Sequence, residues 1–215
     1  MKKIYLLLSF FLTLHVIGQT NLYENPSFDQ ISENHKSIAI LPFNAQVKLR
    51  KNQMKNMSND DLIRLEKAEG KSIQKAMYSW FLKRKKRGDM QTIEVQDPNV
   101  TMAKLRKNNI KQENLIEYTP QELANLLEVD AIISGDYKTD KPMSEGASVA
   151  LGLLVGFWGT TNSATINMSV HNAEDGVLLW NYNKKVRGSL GSSPEDLINK
   201  LMRKASRRLS YTKKK

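Results

Sequence analysis

The chain has 215 residues, of which 40% are hydrophobic and 26% charged, the proportions of one folded domain and not of a disordered chain. Lysine and arginine number 33 against 22 acids, giving a formal charge of +11, and there is no cysteine. That absence excludes disulfides, cysteine-ligated zinc, iron–sulfur clusters, thiol catalysis and acylation at cysteine. Three histidines, His15, His35 and His171, leave almost nothing for a histidine metal site.

Lys2 and Lys3 precede an apolar run from Ile4 to Leu14, followed by Val16, Ile17 and Gly18. A short positive segment, a run of this length and a small residue at its end form the layout of a secretory signal peptide, and the run is too short to span a bilayer comfortably. Residues 1–18 are therefore expected to be removed after Gly18. Two lysines leave with them, taking the formal charge from +11 to +9. A basic exported chain without cysteine suits the periplasm or the inner side of an outer membrane. Outside the cytoplasm its charge fits anionic lipid, glycan or an acidic protein face better than nucleic acid.

Residues 19–36 show no sustained period and read as a flexible lead-in. Ser37 to Phe43 is short, apolar and β-rich, with Pro42 near its end, and predicts a buried strand. Ser58 and Asp61 resemble a capping box opening a helix over 58–87, with Leu62, Leu65, Ile73, Ala76, Met77, Trp80 and Phe81 near one face. Lys83-Arg84-Lys85-Lys86-Arg87 then Gly88 close it, cations where the helix dipole favours them. Thr92 to Val95 predicts a second strand and residues 99–109 a small helix. Thr119-Pro120-Gln121-Glu122 starts a helix to 128. Val129 to Tyr137 reads as a strand, and 164–172 and 177–187 as two more joined by a glycine-ended loop. Ser193-Pro194-Glu195 opens a last amphipathic helix to 211. The expected fold is an α/β sandwich, a mixed four- to five-stranded sheet with flanking helices over a single domain, 37–212.

The Ile38-Ala39-Ile40-Leu41-Pro42-Phe43 strand, the capped helix running from Pro120 into a strand ending at Ser134-Gly135, the hairpin around Asn172-Ala173-Glu174-Asp175-Gly176 leading to Trp180, and the closing amphipathic helix come in a telling order. Together they resemble the envelope superfamily that includes the curli-secretion channel lipoprotein, the lipoprotein activators of penicillin-binding proteins and the amino-terminal domain of TolB. The resemblance implies an anticodon-binding-domain-like fold used for binding and assembly, with no cofactor. It also implies partners among envelope proteins or the anionic envelope surface, and is compatible with a homo-oligomer. In the curli channel the segment corresponding to residues 143–162 resembles the place where a membrane-inserting hairpin arises.

That segment, the glycine-rich apolar insertion 143–162, carries no charge after Glu145. Gly152 and Gly156 would allow close backbone approach. Two readings stand: Val149, Leu151, Gly152, Leu153, Leu154, Gly156, Phe157 and Trp158 meet membrane or a neighbouring subunit, or they fold back onto the domain. A second candidate surface, for anions, is Lys83, Arg84, Lys85, Lys86 and Arg87, with Arg207 and Arg208 in another cluster that also holds Arg203 and Lys204. Both have a plain structural use as solvated helix ends. No catalytic or metal-binding set is expected. Asp130 and Asp136 stand at opposite ends of one strand, about 20 Å apart at the strand rise, too far to act on one bond. His171 reads as a polar turn residue. No phosphate-binding loop, nucleophile elbow or dinucleotide glycine motif occurs in the sequence.

Overall fold

A computed structural model describes residues 20–49, 54–55, 57–142, 161–187 and 194–212. In chain order these are β1 (Thr20–Glu24), α1 (Phe28–Ser32), β2 (Ser37–Ile40), β3 (Asn44–Gln46), α2 (Asn59–Lys86), β4 (Glu94–Val95), α3 (Pro98–Lys107), α4 (Pro120–Leu127), β5 (Ala131–Pro142), β6 (Thr161–Asn172), β7 (Leu178–Arg187) and α5 (Pro194–Ser206). Short 3₁₀ turns follow α3 at Gln112–Glu117 and α5 at Ser210–Thr212.

The α/β class is as expected, but the mixed sheet has seven strands and not four or five. Its order is β1-β7-β6-β5-β2-β4, with β3 also paired to β5. The β2, β3 and β4 pairings are parallel, and β5, β6, β7 and β1 run antiparallel. Two additional strands escape sequence patterning because their local sequence is polar. Within β3 only Ala45 is buried, and it continues the line of β2 along β5 after an interruption at Leu41-Pro42-Phe43. The supposed lead-in is part of the domain: β1 pairs with β7 through residues 20–24, and Phe28 of α1 is buried.

Alternation sorts the strand side chains into two cores. Ile38, Ile40, Ile133, Tyr137, Ile166, Met168, Val170, Trp180 and Tyr182 pack under α2 and α5. Ala39, Leu41 and Ile132 pack under α3 and α4. The helices are capped locally: Ser58 with Asp61 and Thr119 with Glu122 form reciprocal capping boxes, and Asp97 caps α3. The last turn is held by Tyr211, whose hydroxyl lies 2.5 Å from His35 Nδ1 while its ring meets Phe28 edge-on at 5.1 Å. His35 Nε2 lies 3.0 Å from the Asn172 Oδ1 acceptor, so Nε2 carries the proton and Nδ1 accepts from Tyr211. Burial lowers the His35 pKa, outweighing the opposing Asn172 bond and Asp130 charge, and keeps this tautomer neutral.

Two residues in the middle of α2 show how closely it is seated on the sheet. Gly70 lies so close to the β2–β3 connection that a Cβ would stand 2.0 Å from the Phe43 carbonyl oxygen, and the Phe43 N–H donates to Gly70 O at 3.2 Å. Glu69 beside it is 5% exposed, and burial pushes its carboxyl from 4.5 up to about 7.

Alanine is normally worth about 1 kcal/mol over glycine inside a helix. Here Gly70→Ala should invert that sign and lower the stability measured by urea unfolding by about 1–3 kcal/mol, because backbone must move to admit the methyl. Glu69 binds its proton more tightly folded than unfolded. Its penalty is therefore absent below about pH 4.5, grows as pH rises and is complete above about 7, on the order of 3 kcal/mol. Glu69→Gln should match the parent in melting temperature near pH 4.5 and exceed it near pH 8.

Candidate anion-binding surface

The two basic clusters, more than a hundred residues apart in sequence, meet at one end of the helical layer. Arg84 joins them. On the last turn of α2 it is 7% exposed, its Nε donates to Ser206 Oγ at 3.0 Å, and its Nη2 donates to the Arg203 carbonyl at 3.4 Å. Burial lowers its pKa; the Asp89 carboxylate opposes that, while Arg207 and Arg87 add to it. Arg84 is therefore a buried strut and does not belong to the anion-facing surface expected of it. Its neighbours are also partly engaged: Lys83 Nζ sits 4.3 Å over the Trp80 ring, and Lys85 pairs with Glu94 at 2.5 Å. Lys86, Arg87, Arg207 and Arg208 are exposed.

The surface is centred instead on α5. Burial lowers the Lys204 pKa, and four cations lower it further: Lys184, Lys200, Arg203 and Arg207. Arg207 and Arg208 lie within electrostatic reach of the Tyr182 phenol, which burial raises and they pull down. Lys200 is one turn before Lys204 on the same helix, and Arg203 is its immediate neighbour in the chain. Lys200 also reaches the Arg187 carbonyl at 3.3 Å, and Lys184 donates to Thr20 Oγ1. Nearby acids include Asp89 beside Arg84, Glu24, which accepts from Ser210, and Asp196, one turn before Lys200 on α5. A positive surface of this density attracts phosphate, carboxylate or sulfate groups.

Lys184 and Lys200 were missed in the sequence, though a signal was there. Trp180, Tyr182, Lys184 and Val186 share one strand phase, so a lysine occupies a position whose neighbours are all core residues. Long stems allow this: the methylenes cover apolar surface while the ammonium reaches water.

The other expected residues divide. Val149, Leu151, Gly152, Leu153, Leu154, Gly156, Phe157 and Trp158 lie outside the described residues. Asp136 falls mid-strand because β5 runs on to Pro142, and it accepts from Asn44 Nδ2 at 2.9 Å. Asp130 accepts from the Lys36 and Ser37 N–H groups, each at 2.8 Å, and from Ser37 Oγ at 3.1 Å. Burial raises its pKa, but these donors outweigh that and hold it low. It fastens β2 to β5. His171 is a strand residue of β6, opposite Ile132 and Leu178, and not a turn residue. Half-burial lowers its pKa. Among the described residues, no group of three histidine, aspartate or glutamate side chains is placed to hold a metal ion.

No protein-family model matches the chain, and no curated protein matches it. Solved structures similar to it include the PelC dodecamer from Paraburkholderia phytofirmans, at 10% identity and a TM-score of 0.48, covering 93% of this chain and 100% of that one. Lipoprotein GNA1162 from Neisseria meningitidis matches at 14% identity and a TM-score of 0.41, covering 80% of this chain and 94% of that one. The LpoB C-terminal domain from Salmonella enterica matches at 6% identity and a TM-score of 0.34, covering 76% of this chain and 94% of that one. At these identities and scores nothing of their function passes to this chain by likeness.

Arg84→Met keeps the stem but removes both bonds to α5. It should cost about 1–3 kcal/mol of stability and speed amide exchange selectively in residues 203–212, measured by hydrogen exchange.

Proposed function

We propose that the protein is an exported, non-enzymatic envelope component that docks on an anionic envelope surface and helps assemble or regulate the components there. One observation carries this reading: Lys184, Lys200, Arg203 and Arg207 crowd around Lys204, and burial and like charge both disfavour the charged form of that lysine. A cluster that repels itself gains free energy when an anionic surface neutralises it. The leader-like residues 1–18 support an envelope location, and the cleaved chain remains basic at +9 from +11 once two lysines leave.

A second reading, an oligomeric pore or secretion subunit, is favoured by the geometry of the long hairpin. Strands β5 and β6 stay paired as far as Pro142↔Thr161, so the apolar stretch between them leaves and re-enters the sheet at adjacent strand ends.

Co-sedimentation with vesicles separates the readings. The parent should bind phosphatidylglycerol vesicles, ignore phosphatidylcholine vesicles and release as salt rises. At about 1 kcal/mol per basic residue near such a surface, Arg203→Ala/Arg207→Ala/Arg208→Ala should weaken binding roughly a hundredfold. Equal binding to both lipids, or an unaffected triple variant, rejects the anionic-surface reading. Binding that survives the triple variant but is lost with Leu154→Asp or Phe157→Asp favours the pore.

A further inference from the structure

The sheet ends on β1, whose residues 20–23 are exposed, Leu22 at 45% and Tyr23 at 46%. Among the described residues β1 pairs only with β7. Just past the Glu24↔Trp180 pair, the Asn25 N–H donates to Leu179 O at 2.8 Å. Hydrogen-bonded positions alternate along an antiparallel ladder, so Asn21 and Tyr23 also turn their backbone groups toward β7. The N–H and C=O groups of Thr20, Leu22 and Glu24 therefore point out from the edge of the sheet. Proteins usually blunt such an edge with lysine, proline or a bulge, and β1 has none of these. The opposite edge, β4, is only two residues long and has Lys85 paired to its Glu94.

We infer that β1 pairs with β1 of a second copy of this chain, antiparallel and two-fold about Leu22, joining the two sheets into one. Thr-Asn-Leu-Tyr-Glu is self-complementary in that register. Leu22 meets the partner's Leu22, Asn21 meets the partner's Tyr23, and Thr20 meets the partner's Glu24. The charges fit as well. Lys184 already donates to Thr20 Oγ1 from the neighbouring strand, and opposed residues share a face. The partner's Glu24 therefore arrives beside Lys184, twice by symmetry. Glu24 and Lys184 keep partners in their own chain, so the interface extends an existing polar network. Shared faces also put both copies of α5 on one side of the joined sheet, which places the two basic surfaces together. The pairing stands independently of what those surfaces bind.

The absence of cysteine makes a register test clean. Asn21 and the partner's Tyr23 form a non-hydrogen-bonded pair with Cα atoms about 4.5 Å apart, within disulfide reach. Asn21→Cys and Tyr23→Cys, purified separately, mixed and oxidised, should give the mixed disulfide dimer as the main cross-linked product by intact mass. Either variant alone should link several-fold less. The parent should sediment as a dimer at tens of micromolar, and Leu22→Lys as a monomer with unchanged circular dichroism and melting temperature. A monomeric parent, a dimer indifferent to Leu22→Lys, or a mixed disulfide no more abundant than the self-linked ones would overturn the inference.

Discussion

The close approach of Gly70 to the Phe43 carbonyl is the contact on which the helical layer depends. A side chain there would lift α2 from the sheet, and everything α2 carries would move with it. Fourteen residues on, about 21 Å along the axis, the same helix delivers Arg84 to Ser206 and the Arg203 carbonyl. The basic surface is therefore set at a distance by a glycine that contributes no charge. The same closeness encloses Glu69, so the position that seats the helix also imposes a desolvation cost on its neighbour.

Charge in this molecule is divided between fastening and exposure. Asp130 spends its carboxylate on the N–H groups that enter β2, and Arg84 its guanidinium on the end of α5. Lys83 and Lys85 are held by Trp80 and Glu94. The cations whose mutual repulsion lowers the Lys204 pKa collect along α5 and the inner phase of β7. Cations in water avoid each other, so this concentration has to be held in place by apolar burial. The buried Leu197, Ile198, Leu201, Met202 and Ala205 do so, anchoring the other side of that helix.

The sheet shows a similar division between its edges. One edge is short and partly masked, and the other is a regular polar strand with two exposed apolar side chains. The hairpin of β5 and β6 is long because its pairing continues past the core to Pro142 and Thr161.

Sequence alone determined the local part of this protein. Capping boxes at Ser58 and Thr119, the amphipathic faces of α2 and α5, and the alternation of β5, β6 and β7 are encoded within a few residues. They were legible because each rests on short-range periodicity and backbone hydrogen-bond supply. The strands β1 and β3 were not legible, because their residues are mostly polar and exposed, and only the neighbouring strand makes them strands. His171 looked like a turn residue because the ladder's length is fixed by the partner and not by the histidine. The two basic runs were visible, but not that they meet, nor that Arg84 would be withdrawn while Lys184 and Lys200 joined. Lys200 lies four residues from Lys204 on one helix, and Lys184 stands in a strand phase of core residues. Tertiary structure alone decided the meeting of the two runs and the burial of Arg84, since these depend on contacts between residues over a hundred positions apart.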